Sequence, residues 1–113
     1  MRVRSTYQPY LDAVDAYYAE LFKIIRPLFF THGGPVLMCQ IENEYGSYGN
    51  DKQYLKAIKQ MMEKHGCDVP MFTSDGGWRE VLDAGTLLNE GVLPTANFGS
   101  RTDEQIGALR QFM

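Results

Sequence analysis

Three short apolar runs, PVLMCQI (35–41), VPMFTS (69–74) and VLPTANFGS (92–100), alternate with stretches whose apolar residues recur every three or four positions. This alternation of periods constrains the fold more than any other feature. Residues 6–26 carry Leu11, Val14, Tyr17, Tyr18, Leu21, Ile24 and Ile25 at helical spacing, with Ser5 or Thr6 as the expected N-cap. Pro27 should end that helix or kink its last turn. A second helix is expected after Asn50 or Asp51, with Tyr54, Leu55, Ile58, Met61 and Met62 on its apolar face and Gly66 just past its end. A short helix follows at about Arg79 to Ala84, and a last one starts at Thr102 or Asp103 and runs to the end of the chain.

Strands alternating with helices imply βα units, a parallel sheet and right-handed crossovers. The first run is nearly continuous in its apolar character, which predicts a strand buried on both faces. Pro94 weakens the third. No linker or internal domain boundary interrupts residues 1–113. A (β/α)₈ barrel needs roughly 200 residues or more, and these 113 supply only three strands. The expectation is a part of something larger rather than an unusually small three-layer domain, and the last helix, running uncapped to Met113, points the same way.

Charge narrows the partners. The net charge is -3 with no basic stripe, which argues against nucleic acid. Lys23, Arg26 and Pro27 break the longest apolar stretch, so no membrane span is expected. The opening MRVRSTYQPY has no apolar signal region, so the chain reads as cytoplasmic if Met1 is its true start. Cys39 reads as a small buried hydrophobe, and a disulfide to Cys67 is not needed. His32 and His65 stand apart with no ligand set for a metal. GxGxxG and GxxxxGK[ST] are both absent, so no nucleotide cofactor is expected.

Each strand ends in polar residues: Glu42, Asn43 and Glu44; then Thr73, Ser74 and Asp75; then Asn97 and Ser100. Parallel α/β folds place their ligand beyond these ends, and hydroxyls, amides and carboxylates on one rim suit a polyol such as a sugar. If the first strand persists, Glu42 and Glu44 share a face with their carboxylates about 7 Å apart. Paired like charges suit one member to act as a general acid; the plainer reading is a solvated acidic loop. Tyr45, Tyr48 and Trp78 are either sugar platforms or packing residues. Lys52, Lys56, Lys59 and Lys64 read as a solvated helix face, with Lys59 and Glu63 paired.

The stretch Gly33 to Tyr45, GGPVLMCQIENEY, resembles the signature of glycoside hydrolase family 35, the β-galactosidases. Gly33, Gly34, Pro35, Val36, Leu37, Gln40, Glu42, Asn43, Glu44 and Tyr45 occupy its fixed positions. The likeness continues through GSYG (46–49), FTSDG (72–76) and ANFGS (96–100). The resemblance implies a (β/α)₈ barrel whose fourth, fifth and sixth strands lie at about 36–41, 69–73 and 93–97. It implies retaining hydrolysis of terminal β-D-galactosides, with Glu44 as acid/base, Asn43 hydrogen-bonding the sugar near its 2-hydroxyl and Glu42 as a supporting residue of the site. Retention requires a second carboxylate about 5–5.5 Å from the acid. The family's nucleophilic glutamate lies on a seventh strand that these residues do not include. Asp75 is the best internal substitute by position, though the resemblance does not support it. Two other readings stay open: a catalytically incomplete remnant that binds sugar or serves as a scaffold, and a related enzyme acting on β-glucosides or β-mannosides. Exposed sheet edges also predict self-association.

Overall fold

A computed structural model of the chain describes residues 2–97, together with Glu104, Ile106, Gly107, Arg110 and Gln111, which are helical. Ser100 and the cap candidates Thr102 and Asp103 lie outside the described residues. The chain forms two compact units, one from residues 1–39 and 53–70, the other from residues 40–52 and 71–113.

The first unit is helical. Helix α1 spans Gln8–Ile25 and α2 spans Lys52–Lys64, of which all but Lys52 belongs to this unit. The start of α1 differs from expectation: Tyr7 is the N-cap, and no side chain caps the helix. A proline in the first two positions sets the start instead, because its fixed φ suits a first turn and its missing N–H loses nothing there. Pro27 does end the helix, in a 3-10 turn over Arg26–Leu28. Leu11, Phe22, Phe29, Tyr54, Leu55, Ile58 and Met62 form the core. Phe22 stacks edge-on against Tyr18 and Phe29, with ring centroids 5.6 and 6.2 Å apart. Tyr17, expected to pack, is exposed. Gly66 closes α2 at φ +100°, a left-handed conformation that favours glycine. Cys39 and Cys67 are free thiols, and Cys39 is half-buried rather than fully buried.

The second unit carries the sheet apart from Cys39, the first residue of its first strand. Strands β1 (Cys39–Gln40), β2 (Met71–Gly76) and β3 (Leu93–Asn97) lie in that order. β2 and β3 are parallel, with Ser74 opposite Thr95. Helix α3 (Arg79–Gly85) connects them. The expectation of a parallel βα arrangement holds, but β1 is far shorter than the run 35–41 and is not buried on both faces: Leu37 is 65 % exposed. β1 is an outer strand of the sheet, and just before it Val36 forms an isolated parallel bridge with Phe29. β3 forms the other edge, where Pro94 is tolerated. Among the described residues no helix is long and apolar enough to cross a membrane.

Candidate active site

The ladder between the first segment and β2 slips by one residue where the acidic cluster begins. Ile41 N–H donates to Phe72 O at 2.8 Å, and Glu44 N–H donates to Ser74 O at 2.8 Å. From 41 to 44 the chain advances three residues while β2 advances two. The extra residue is absorbed as in a β-bulge, a device that re-aims side chains. Its imprint is a pair of left-handed residues, Glu42 at φ +59° and Glu44 at φ +51°. For a non-glycine residue each such conformation costs on the order of 1–3 kcal/mol, and such strain concentrates at functional sites.

This geometry corrects the spacing argued from the sequence. The strand ends at Gln40, so Glu42 and Glu44 are not alternating residues of one extended segment, and the 7 Å estimate does not apply. Glu42 turns back on its own loop, its Oε1 accepting the Asn43 N–H at 3.0 Å. Gln40 Nε2 donates to Asn43 Oδ1 at 3.0 Å and so orients that exposed amide. The Glu44 side chain is half-buried and makes no hydrogen bond or ion pair among the described residues. Its backbone is fixed at both ends, by Ser74 O and by the Ser47 N–H on its carbonyl at 3.1 Å. A rigid backbone carrying an uncommitted carboxylate suits proton transfer to a bound ligand.

The second strand end behaves differently from expectation. Thr73, Ser74 and Asp75 are buried rather than lining an open rim. Asp75 is 1 % exposed, its Oδ1 accepts the Gly46 N–H at 2.8 Å, and Gly85 packs directly against its carboxyl group. Burial raises the Asp75 carboxyl above its ordinary value, opposed by the Gly46 hydrogen bond and the charge of Lys52, and supported by Glu44 and Glu42. So enclosed, Asp75 cannot attack a substrate. Of the third strand end, Asn97 is exposed.

The aromatic candidates divide. Tyr45 is buried and packs the loop, its hydroxyl accepting the Asp51 N–H at 3.3 Å. Tyr48 and Trp78 are exposed. Lys52 departs from the solvated face expected of it: it is half-buried, and its Nζ donates to Asp83 O at 2.6 Å and to Thr86 O. Lys59 does pair with Glu63, at 3.1 Å. Sequence reasoning missed the parts played by Gly46, Gly85 and Lys52. Gly46 was detectable only as the first residue of the GSYG likeness, with nothing to show that a methyl there would meet the Val81 carbonyl.

The carboxylates that follow β1 lie past the carboxyl end of a strand, where parallel α/β folds place their ligands. The family model for Glycosyl hydrolases family 35 matches residues 1–113, and the chain belongs to that family. It is 41% identical over 104 residues to "Beta-galactosidase 17" of Arabidopsis thaliana, covering 91% of this chain and 15% of that protein. It is 40% identical over 111 residues to "Beta-galactosidase 1" of Dictyostelium discoideum, covering 92% of this chain and 16% of that one. Against "Beta-galactosidase" of Homo sapiens it is 40% identical over 100 residues, covering 87% and 14%. The chain thus spans about one-seventh of the length of these relatives.

Proposed function

We propose that this chain supplies the acid/base part of a retaining β-galactosidase site, within a (β/α)₈ barrel in which β1, β2 and β3 are the fourth to sixth strands. The observation that carries the reading is Glu44: a half-buried carboxylate, uncommitted among the described residues, on a backbone pinned to β2. Glu44 protonates the glycosidic oxygen as the galactosyl unit leaves. A nucleophilic glutamate about 5–5.5 Å away, from sequence outside these 113 residues, traps the sugar. Glu44 then removes a proton from the incoming water. Asn43, oriented by Gln40, hydrogen-bonds the sugar near its 2-hydroxyl, and Glu42 stiffens the loop through the Asn43 N–H.

A segment exchange tests this. Residues 1–113 replace the matching stretch of the human relative, and the hybrid is assayed with Glu44 and with Glu44→Gln. The expected result is lactose hydrolysis by the first and a loss of about 10²-fold or more in the second, with galactose binding retained. Equal lactose turnover in both removes Glu44 from the acid role.

The small share of each relative that the chain covers supports a second reading: by itself this chain is a catalytically incomplete piece that binds sugar or serves as a scaffold. Measurable galactoside hydrolysis by the 113-residue chain alone would contradict that second reading.

A further inference from the structure

Asp75 is the residue next to the site whose placement the acid/base reading leaves unexplained. Its carboxyl group is almost wholly enclosed, yet Oδ2 has no hydrogen-bond partner among the described residues. A buried carboxylate with an orphaned oxygen is costly, and nothing in the packing of the sheet requires an acid there. What the side chain does contact is specific. Oδ1 takes the Gly46 N–H at 2.8 Å. Its neighbour Ser74 takes the Glu44 N–H at 2.8 Å through its carbonyl. Two consecutive residues of β2 thus grip two N–H groups of the Glu44–Gly46 turn. Gly85 makes room for the carboxyl group, since any side chain there would collide with it, and Gly46 has no room for a side chain beside Val81.

We propose that Asp75 is a positioning residue for Glu44: its buried carboxyl group holds the Gly46 end of the left-handed turn that carries the acid. The inference rests on the acid/base reading of Glu44 but concerns a different residue. Asp75 touches no substrate. It acts by fixing the turn. The charged groups that face it are Glu42 and Glu44 from the turn and Lys52 from the start of α2. Helix α3, packed on the other side, contributes Arg79, Glu80 and Asp83, all exposed. Lys52 acts at a distance, since its Nζ donates to the carbonyls of Asp83 and Thr86.

The test uses the 113-residue chain labelled with ¹⁵N and ¹³C, and needs no catalysis. In the parent, the Gly46 amide proton should shift with pH along the same curve as the Asp75 carboxyl carbon. In Asp75→Asn, where an amide oxygen still accepts the Gly46 N–H, that shift should vanish. In Asp75→Ala, Gly46 should exchange its amide proton at least about tenfold faster, reflecting loss of a charge-assisted hydrogen bond. A Gly46 amide insensitive to pH in the parent, or unchanged exchange of that amide in Asp75→Ala, overturns the proposal. The two readings fail separately. If the hybrid enzyme shows no dependence on Glu44 while these titrations remain coupled, the acid/base reading is wrong and the Asp75 linkage stands.

Discussion

The Ser74 carbonyl oxygen accepts the Glu44 N–H at 2.8 Å, one residue out of step with the ladder that precedes it. That contact links the catalytic candidate to β2 and forces Glu44 out of the extended conformation of a strand. Several consequences can be measured.

Gly46 follows from this turn. A methyl group there would meet the Val81 carbonyl and crowd the Asp75 carboxyl group. Gly46→Ala should destabilise the chain by about 1–3 kcal/mol, the usual cost of overpacking. Urea unfolding checks it: the midpoint should fall with the slope unchanged. An unmoved midpoint would mean that the turn has room to spare.

Asp75 gives a pH dependence of unusual sign. Burial raises its folded value above the ordinary 3.8, so the folded state favours the neutral form. Below about pH 4 the carboxyl is neutral folded or unfolded and costs nothing. As the pH rises from there through the raised folded value, the folded state loses stability. Asp75→Asn should therefore be more stable than the parent at pH 7, by about 1 kcal/mol, with the gain gone below about pH 4. Thermal melts of both proteins at the two pH values decide it. A variant less stable at pH 7 would contradict this account.

Burial, reinforced by Cys67, pushes the Cys39 thiol up to about 12. At pH 8 only about one molecule in ten thousand carries the thiolate, the reactive form. Iodoacetamide at that pH should leave native Cys39 unlabelled while alkylating it rapidly in denaturant. Mass spectrometry after timed quenching reads the result, and fast labelling of the native chain would show a more open environment.

The sheet has two edges, β1 and β3, with Leu37 and Leu93 exposed beside them at 65% and 47%. Unpaired edges recruit other strands. The isolated 113-residue chain should self-associate, with a melting temperature that depends on concentration. Leu93→Lys should weaken that association, because an edge lysine resists pairing. A sharp, concentration-independent melt of a monomer would count against it.

Much of this was legible in the residues. The helical spacing around Tyr54, Leu55, Ile58 and Met62 and the glycine at 66 give α2 and its end closely, because an amphipathic period and a left-handed glycine are local properties. The likeness of GGPVLMCQIENEY pointed to the family that the chain belongs to. What was not legible depends on contacts distant in sequence. The apolar run before Gln40 reads as a fully buried strand, yet only Cys39–Gln40 form a strand and Leu37 is exposed. The slip that turns Glu44 depends on hydrogen bonds to β2, thirty residues downstream. Asp75 reads as a polar strand end, and only Gly46 and Gly85 closing over it make it a buried acid. Lys52 reads as one of a row of solvated lysines until the carbonyls of Asp83 and Thr86 reach its Nζ.

The role of Glu44 can be tested most directly by chemical rescue in the hybrid enzyme carrying Glu44→Ala. A dinitrophenyl β-galactoside needs no acid to depart, so the sugar should load onto the nucleophile and wait there, lacking a base for water. Azide, which needs no base, should then restore turnover and give β-galactosyl azide, with retention after two displacements. An α-galactosyl azide product would make Glu44 the nucleophile instead. Unchanged hydrolysis without azide would remove it from the reaction altogether.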